Sequence, residues 1–329
     1  MIQKYGIAFL KLSFKLIALL FSVSIVTFFL ASLSPVDPIF SYTQGDTTLS
    51  AEQLEQIAVY WGLDEPPISR YFTWASNLLS GDFGTSLLYR KSVVTVIVEK
   101  FIVSFPLLLT AWILSGVIGF FMGVLAGVYK GRFVDSLIKI WCLVLQSSPE
   151  FWIALILILV FSVQLNWFPS GFAVPIGVLS ENVTPLQKIH HMILPAIAIS
   201  LTSVSSIALH TREKMIQALE SEYATFSFAR GDTVWQFVRR HGLRNIISPA
   251  ITLHFFSISS IFGGSILAET VFHYPGLGEA TVTAGLTFDM PLLLAIVLLS
   301  AVFVFLGNQT ANFLYAIIDP RIGGGDFDV

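Results

Sequence analysis

The chain has 329 residues, of which 55% are hydrophobic and only 12% are charged, and its mean hydropathy is +0.78. A soluble domain usually has about 25% charged residues, so the composition excludes an ordinary soluble protein and indicates a membrane protein. The net charge of −3 and the single cysteine, Cys142, indicate neither a basic nucleic-acid surface nor a disulfide framework.

Six stretches are long and apolar enough to cross a bilayer, since a spanning helix needs about 20 mostly apolar residues. The stretches lie near residues 13–33, 101–128, 136–164, 193–211, 247–271 and 291–317. The third contains Pro149, and we expect this proline to bend the helix rather than to end it. Division of the third stretch into two spans, which would give seven, is the alternative. The predicted fold class is an all-α polytopic membrane protein.

The lysines and arginines indicate which ends of the spans face the cytoplasm. With the N-terminus inside, six spans leave 13 of the 18 basic residues inside and 5 outside. Because cytoplasmic loops are enriched in Lys and Arg, we predict that both termini and the loop between spans four and five are cytoplasmic. A cleaved signal peptide is the competing interpretation of the first span, but this apolar run exceeds the usual core of about 7–15 residues.

Residues 34–100 form the first outside segment, which we interpret as a small folded cap. Ser50 and Gln53 have the spacing of a capping box and predict a helix over 51–61, while a second helical stretch near 68–80 ends at Gly81. The predicted domains are residues 1–33 with the first span, the extracytoplasmic cap 34–100, and a core 101–329 that contains the cytoplasmic loop 212–246. Residues 165–192 form a second outside loop.

Three polar residues within the spans are candidates for a substrate pathway. Glu150 lies about 15 residues beyond Asp135, or roughly 20 Å into the membrane at ~1.5 Å per residue, and an intramembrane carboxylate is a functional candidate by default. The alternative is that Glu150 is protonated or caps a local bend. Ser147 precedes it in the same stretch. Asn308 lies in the last span, where an amide more often bonds a neighbouring helix.

Small residues recur at every fourth position of the second span, at Ser115, Gly119, Gly123 and Gly127. This small-xxx-small pattern allows another helix to approach closely. We expect that helix to belong to this chain, and a helix of a partner subunit is the alternative.

The string EYATFSFARGDTVWQFVRRHGLRNIISPA, from Glu222 to Ala250, covers most of the loop between spans four and five and the start of span five. Its composition predicts a short helix over 222–230, a turn at Gly231, and a second helix capped by Thr233 and Gln236, which together form a compact knob. We expect the aromatic residues of the knob to be buried, and aromatics beside exposed arginines are typical of a protein-docking surface. A solvated loop with ordinary positive-inside charge is the alternative. The aromatic residues are Tyr223, Phe226, Phe228, Trp235 and Phe237.

The sequence shows no motif that indicates catalysis. It lacks the G-x-x-x-x-G-K-[ST] and G-x-G-x-x-G patterns of nucleotide sites, and no order of Ser, His and Asp indicates a nucleophile. The adjacent His190 and His191 would point about 100° apart on a helix, which is poor geometry for one metal ion. We therefore predict no catalytic site, no metal site and no resident cofactor.

Several separate strings resemble permease subunits of binding-protein-dependent ABC importers, in the dipeptide, oligopeptide and nickel branch. The string EYATFSFARGDTVWQFVRRHGLRN is similar to the cytoplasmic coupling motif of that family. The other strings, in family order, are GLDEPPISRYFTWASNLLSGDFGTSL (62–87), SSPEFWIALILILVFSVQLNWFP (147–169), HMILPAIAIS (191–200), ILAETVFHYPGLGEA (266–280) and YAIIDPRI (315–322).

The resemblance implies a type I importer permease with six transmembrane helices in the bacterial inner membrane. The implied partners are a second homologous permease, two cytoplasmic ATPase subunits that hydrolyse the ATP, an external solute-binding protein and the lipid bilayer, with no nucleic acid. The implied function is ATP-driven import of small peptides or of nickel or other metal chelates. A membrane-anchored docking or receptor subunit without its own translocation pathway is the alternative, and an intramembrane enzyme is a third.

Carried onto this chain, the resemblance assigns the knob to a cleft on an ATPase. The residues assigned to this contact are Glu222, Tyr223, Ala224, Arg230 and Gly231. The chain departs from the family pattern where relatives commonly have T-A-R-A-K-G, because Phe228 stands in the position of the internal arginine. This departure leaves the chemistry of the ATPase contact open.

Overall fold

The computed structural model describes residues 2–33, 50–60, 65–178 and 182–318, together with Ile39 and Thr43. Within these residues the chain is helical apart from turns, loops and an isolated antiparallel bridge between Thr85 and Ser92, and the predicted all-α class is confirmed. Most of the predicted start of the cap, 34–49, lies outside the described residues. The same holds for Arg321, which the orientation argument counted as cytoplasmic.

We number the helices in chain order. They are α1 (Ile2–Ser32), α2 (Ala51–Tyr60), α3 (Pro67–Leu79), α4 (Val93–Val128), α5 (Phe133–Ser147), α6 (Glu150–Leu157), α7 (Pro185–Leu219), α8 (Glu222–Ala229), α9 (Val234–Phe237), α10 (Leu243–Val271), α11 (Leu277–Leu286) and α12 (Met290–Ile318). A π-helical segment, Ile158–Gln164, continues α6, and a second, Val238–Gly242, joins α9 to α10.

Five of the six predicted spans each correspond to one helical segment of sufficient length, and the third corresponds to a bent pair of helices. Among the described residues, five segments are each long and apolar enough to cross a membrane, and a bent pair supplies a sixth crossing if it counts as one span. The five are Leu10–Ser32, Val93–Val128, Pro185–Leu219, Val234–Val271 and Met290–Leu314, and the bent pair is Phe133–Ser147 with Glu150–Gln164.

The third predicted span is broken at Ser148-Pro149, so the expectation of a bent but continuous helix was wrong. Helix α5 ends at Ser147, α6 begins at Glu150, and the direction changes by 111°. Ser148 has an extended backbone, with φ −90° and ψ 135°, because a proline ring disfavours the helical conformation at the residue before it. The separation of Glu150 from Asp135 therefore no longer measures depth along one straight helix.

Contacts between residues group the chain into two units, one formed by Met1–Ser104 with Pro275–Phe305 and the other by Phe105–Tyr274 with Leu306–Val329. The first unit therefore combines α1 to α3 and the start of α4 with α11 and the first part of α12. The predicted domain boundaries stay a prediction, and the structure assigns Pro275–Phe305 to the N-terminal unit rather than to the core. A buried apolar cluster at the centre of this unit is formed by Val93, Val96, Leu277, Ala280, Ala284, Leu292, Ala295 and Ile296.

Helix α3 of the cap packs on the end of α1. The Tyr71 hydroxyl lies 2.8 Å from the Ser24 hydroxyl, and the Tyr71 ring meets Phe28 edge-on at 5.3 Å between centroids. A buried carboxylate, Asp289, accepts hydrogen bonds from the Ser86 hydroxyl at 2.5 Å and from a backbone N–H at 3.1 Å. These contacts fix the segment between α3 and α4 against the turn before α12.

Both predicted helices of the cap are confirmed, together with their caps. Ser50 accepts from the Gln53 N–H at 3.3 Å, and the Gln53 side chain accepts from the Ser50 N–H at 2.9 Å. Helix α3 is followed by Gly81 with φ +88°, a left-handed conformation that glycine adopts without a steric penalty.

In the second unit, the small residues of α4 pack against α7 of the same chain. A Cβ placed on Gly123 would lie 2.5 Å from the Ala208 carbonyl oxygen and from Thr211 Cβ, and one on Gly119 would lie 2.9 Å from Ile207 Cβ. There is no room for a side chain at either position, so the two backbones touch. The expectation that the partner helix belongs to this chain is confirmed.

Charged contacts gather at one end of the second unit. The buried Asp135 carboxylate accepts two hydrogen bonds from Arg212, at 2.6 and 2.9 Å, and a third from the Gly131 N–H at 2.8 Å. Close by in sequence, Lys130 forms an ion pair with Glu220. The start of α5, the end of α4 and the end of α7 therefore meet at one end.

The predicted outer loop 165–192 meets the end of α10 and the start of α7 at the other end of the second unit. The Phe172 N–H donates to the Phe272 carbonyl at 2.9 Å, and the His191 ring lies 3.0 Å from the Gly171 carbonyl oxygen. His191 and Arg212 are separated along α7 by roughly 30 Å at ~1.5 Å per residue, which is the thickness of a bilayer core. Loops predicted on opposite sides of the membrane thus lie at opposite ends of one helix.

Candidate coupling surface and membrane cleft

The loop between α7 and α10 folds as the predicted knob. Helix α8 is capped by the Ser221 hydroxyl, which accepts from the Ala224 N–H, and α9 begins with a capping box in which Thr233 and Gln236 exchange hydrogen bonds. Between the two helices Gly231 has φ +94°. The predicted turn and the predicted cap at Thr233 and Gln236 are confirmed, and the Ser221 cap is an addition that the sequence did not predict.

Asp232 holds the two short helices together. Its carboxylate accepts from the Ser227 hydroxyl at 2.6 Å and from Arg240 at 2.7 Å. The hydrogen bond from Ser227, together with the positive charge of Arg240, holds the pKa of Asp232 below its usual range. Because the charged carboxylate is favoured, these contacts are present at neutral pH and are lost as the pH falls through the lowered pKa.

Phe237 forms the core of the knob. Its side chain is fully buried, and the Tyr223 and Phe228 rings lie 5.6 and 5.4 Å from it between centroids. Ala224 and Met215 are buried in the same cluster. The knob is thus attached to the end of α7 by an apolar core rather than by a mobile linker.

Of the five aromatic residues of the knob, Phe237 alone is buried within the described part of the chain, and burial of the other four in a protein contact stays a prediction. Phe226 is 66% exposed, Tyr223 and Trp235 are each 42% exposed, and Val234 is 41% exposed. Two short helices have too few inward-facing positions for five large rings, so most of the rings remain on the surface. Exposed aromatic residues of this kind are enriched at protein interfaces.

The residues that the resemblance assigns to an ATPase contact divide into two groups. Glu222, Tyr223, Arg230 and Gly231 lie on the surface of the knob, and a Cβ on Gly231 would meet nothing within 4 Å. Ala224 lies in the knob but is fully buried in its core. Sequence reasoning did not select Val234, whose exposure follows from its place in the first turn of α9.

A polar cleft of about 750 Å³ lies among α5, α6, α7 and α10. Its walls carry hydroxyl groups from two of these helices, and Glu150 is the acidic residue among them. The lining residues are Gln146, Glu150, Thr202, Ser203, Ser206, Ile207, His210, Leu253, Phe256, Ser257 and Ser260. Rows of serine and threonine inside a membrane protein are typical of surfaces that contact another helix or a polar solute.

Glu150 is held in a defined orientation at this cleft. Its Oε1 accepts from the Thr202 hydroxyl at 3.1 Å. Its carboxylate lies against Gly264 of α10, where an added Cβ would be 2.5 Å from Oε2. Within the described part of the chain, no lysine, arginine or histidine lies within ion-pair distance of Glu150.

The other two pathway candidates do not line this cleft. The Ser147 hydroxyl donates to the Val144 carbonyl of its own helix at 3.0 Å. Asn308 accepts from the Ser259 hydroxyl of α10 at 3.0 Å, which is the helix-bonding role that the sequence favoured. A pathway role for Ser147 and Asn308 stays a prediction.

The adjacent histidines of the outer loop contact backbone carbonyls. The His190 ring lies 2.9 Å from the Trp167 carbonyl oxygen, and His191 faces the carbonyls of Gly171 and Phe172 at 3.0 and 3.2 Å. In the described ranges, no group of three or more His, Cys, Asp or Glu side chains could hold a metal ion. The two histidines therefore bind the outer loop to the start of α7.

Apolar helices of spanning length, with a polar cleft and a compact knob in the second unit, are the features expected of a membrane transport permease. Residues 115–324 match the family model described as the binding-protein-dependent transport system inner membrane component. The chain belongs to this family of ABC importer permeases, and its fold is the type I importer permease fold. The family is one of transport proteins rather than of enzymes.

Several permeases align with this chain over nearly their whole length. The oligopeptide transport system permease protein AppB of Bacillus subtilis (strain 168) is 34% identical over 307 residues, which are 93% of this chain and 96% of the relative. The di/tripeptide transport system permease protein DppB of Pseudomonas aeruginosa (strain UCBPP-PA14) is 32% identical, with coverage of 93% and 96%. A putative peptide transport system permease of Brucella abortus (strain 2308) is 32% identical, with coverage of 91% and 93%.

Proposed function

We propose that this chain is a permease subunit of an ATP-driven importer of small peptides in the bacterial inner membrane. The observation that carries the proposal is the near full-length similarity to permeases whose names specify oligopeptides, dipeptides and tripeptides. The polar cleft supports a role in translocation rather than in docking alone. Import of nickel or another metal chelate is the second cargo that the sequence resemblance implies, and the names of the relatives favour peptides.

The proposed complex contains a second homologous permease, two cytoplasmic ATPase subunits and an external solute-binding protein. The exposed aromatic side chains of the knob, flanked by Arg230 and Arg239, support its assignment as the surface that enters a cleft on an ATPase. Phe228, which takes the place of the family's arginine and is 36% exposed, favours an ATPase cleft with an apolar wall at this point.

Reconstitution tests the proposed function. The full complex in liposomes, with the solute-binding protein outside and ATP inside, is expected to accumulate labelled trialanine and to hydrolyse ATP faster when the peptide is present. A docking subunit without a pathway would retain the ATPases but would not accumulate trialanine. That result would reject the proposal.

Two cysteine substitutions are expected to report the proposed topology, with both termini in the cytoplasm. Ser80→Cys, after α3, should react only with an impermeant reagent added outside, and Gln217→Cys, near the end of α7, only with reagent supplied inside. Both positions are exposed, whereas Ser86 in the same outer segment is buried against Asp289 and would report poorly. The native Cys142 is buried and is replaced by serine as a control. Labelling of both positions from one side would reject six spans.

Deletion of residues 50–61 is expected to weaken docking of the solute-binding protein more than assembly with the ATPases. The proposal places the cap at the docking surface, and Glu52 and Glu55 are exposed on α2, so part of the contact should weaken with added salt. The double substitution Glu52→Gln/Glu55→Gln removes this charge without removing the helix. Docking affinity and ATPase copurification are measured side by side, and an equal loss of both after the deletion would mean that the segment is needed only for folding.

A further inference from the structure

The cleft among α5, α6, α7 and α10 has the composition of a binding site for a positively charged polar solute. Glu150 contributes a carboxylate, and the lining residues from α7 and α10 contribute several hydroxyl groups. The Ser203 hydroxyl is buried and has no hydrogen-bond partner among the described residues. Buried polar atoms usually have a partner in the protein or in a bound molecule. Ser203 therefore leaves one polar group of the cleft lining unsatisfied within the described residues.

We propose that Glu150 binds the primary ammonium group of the cargo, and that Gly264 and Thr202 are positioning residues that hold its carboxylate in place. This inference rests on the proposed transport function and adds the chemistry of one site within it. An ammonium group fits because it is a compact cation with three N–H donors. It can donate to the carboxylate and to neighbouring hydroxyl oxygens of the cleft at the same time.

Gly264 has a role that its neighbour does not share. A Cβ at Gly264 would lie 2.5 Å from Glu150 Oε2, 2.8 Å from Oε1 and 2.9 Å from Cδ, whereas a Cβ at Gly263 would meet nothing within 4 Å. The atoms in the way belong to the end of a flexible side chain, so alanine at 264 should displace the carboxylate rather than unfold the helix. The absence of a side chain at Gly264, which Gly263 does not match, leaves the space that the carboxylate occupies.

Thr202 of α7 orients the Glu150 carboxylate by a hydrogen bond. Its hydroxyl donates to Oε1 at 3.1 Å, while Oε2 makes no hydrogen bond to a described residue. One oxygen is thus oriented by a hydrogen bond, and the other packs against Gly264 without a hydrogen-bond partner among the described residues. Serine at 202 would keep the donor, and valine would keep the shape but remove the donor.

The experiment measures selectivity in the reconstituted full complex with two matched pairs of cargo. The pairs are trialanine with N-acetyl-trialanine, and Ala-Lys-Ala with its Nε-acetyl form, so each pair differs by one ammonium group. For each permease variant, the ratio of kcat/KM within a pair is divided by the wild-type ratio. The solute-binding protein is the same throughout, so its own preference cancels.

Glu150→Gln is expected to lower this ratio about 10-fold for at least one pair, which corresponds to ~1.4 kcal/mol. Gly264→Ala should lower the ratio of the same pair to a similar extent, while Gly263→Ala leaves it unchanged. The double variant Gly264→Ala/Glu150→Asp should recover most of the ratio, because the shorter side chain makes room for the methyl group. Thr202→Val should lower the ratio about threefold, whereas Thr202→Ser, which keeps the hydroxyl donor, should have the wild-type ratio.

The outcomes separate the site from the transport function. Unchanged ratios for both pairs in Glu150→Gln, with wild-type uptake intact, would overturn the ammonium site and leave the importer proposal standing. A loss in Gly264→Ala that Glu150→Asp does not relieve would overturn the positioning role. If Gly264→Ala does not assemble, Glu150→Gln and the two Thr202 variants decide the question. A wild-type complex that accumulates neither peptide rejects the importer proposal itself.

Discussion

Gly231→Trp is expected to reduce uptake by at least about 10-fold while the permease still inserts and folds. Gly231 has φ +94°, and a Cβ there would point into open space. A tryptophan would strain the turn by roughly 1–3 kcal/mol and would project from the knob at the surface proposed to enter the ATPase cleft. Uptake, copurification of the ATPases and peptide-dependent ATP hydrolysis are measured together. We expect the ATPases to copurify poorly or to hydrolyse ATP without control by the peptide.

Gly177→Trp is the matched control for this substitution. Gly177 also has a positive φ, +82°, and open space around its Cβ, but it lies in the predicted outer loop 165–192. The Gly177→Trp variant should carry a similar strain in its turn and retain the ATPases.

Glu222→Lys should act in the same direction as Gly231→Trp but less severely. Glu222 is exposed in the first turn of α8, so the substitution changes the charge of the knob without straining its turn. Normal transport by Gly231→Trp with its ATPases bound would mean that the knob is only a positively charged retention loop.

Asp135→Ala is expected to destabilise the second unit by about 3–5 kcal/mol. The substitution removes a carboxylate that is fully buried and that accepts from Arg212 and from the Gly131 N–H. It leaves the Arg212 guanidinium, whose side chain is only 16% exposed, without its partner. Expression of folded permease and its thermal unfolding in detergent are the measurements. We expect a Tm several degrees lower and a reduced yield of assembled complex.

Two controls separate the buried pair from charge in general. Glu220→Ala breaks the ion pair with Lys130, whose side chains are 61% and 52% exposed, and exposed pairs contribute at most about 1 kcal/mol. The double variant Asp135→Leu/Arg212→Met should recover much of the lost stability, because neither charge is then left buried. Equal Tm values for Asp135→Ala and Glu220→Ala would show that the buried ion pair contributes no more to stability than the exposed pair.

Features with a local physical cause were predictable from the sequence. Helices of apolar residues must satisfy their backbone hydrogen bonds internally in a membrane, so five predicted spans each correspond to one helical segment and the third to a bent pair. The turn at Gly231 and the caps at Ser50 and Thr233 depend on residues within one turn of each other. The family motif also identified the knob from the sequence, because the motif is one continuous string of residues.

The break after Ser147 could not be predicted from the sequence, because Pro149 in an apolar stretch is compatible with either a bent helix or two separate helices. A proline inside an apolar stretch either bends the helix or ends it, and the choice depends on whether neighbouring groups satisfy the backbone that the proline frees. The extended backbone of Ser148 ends α5. Glu150 thereby becomes the first residue of a new helix.

Composition, the apolar stretches, the predicted orientation and the family resemblance follow from the sequence alone, because they depend on hydropathy, charge and continuous strings. The tertiary structure alone decided which ring of the knob is buried, since Phe237 and Phe226 differ only in the direction they face. It also brought Glu150 to Thr202 and Gly264, which are far apart in the chain. A glycine that leaves space for a distant carboxylate has no signature of its own in sequence, because the contact arises only when α6, α7 and α10 pack together.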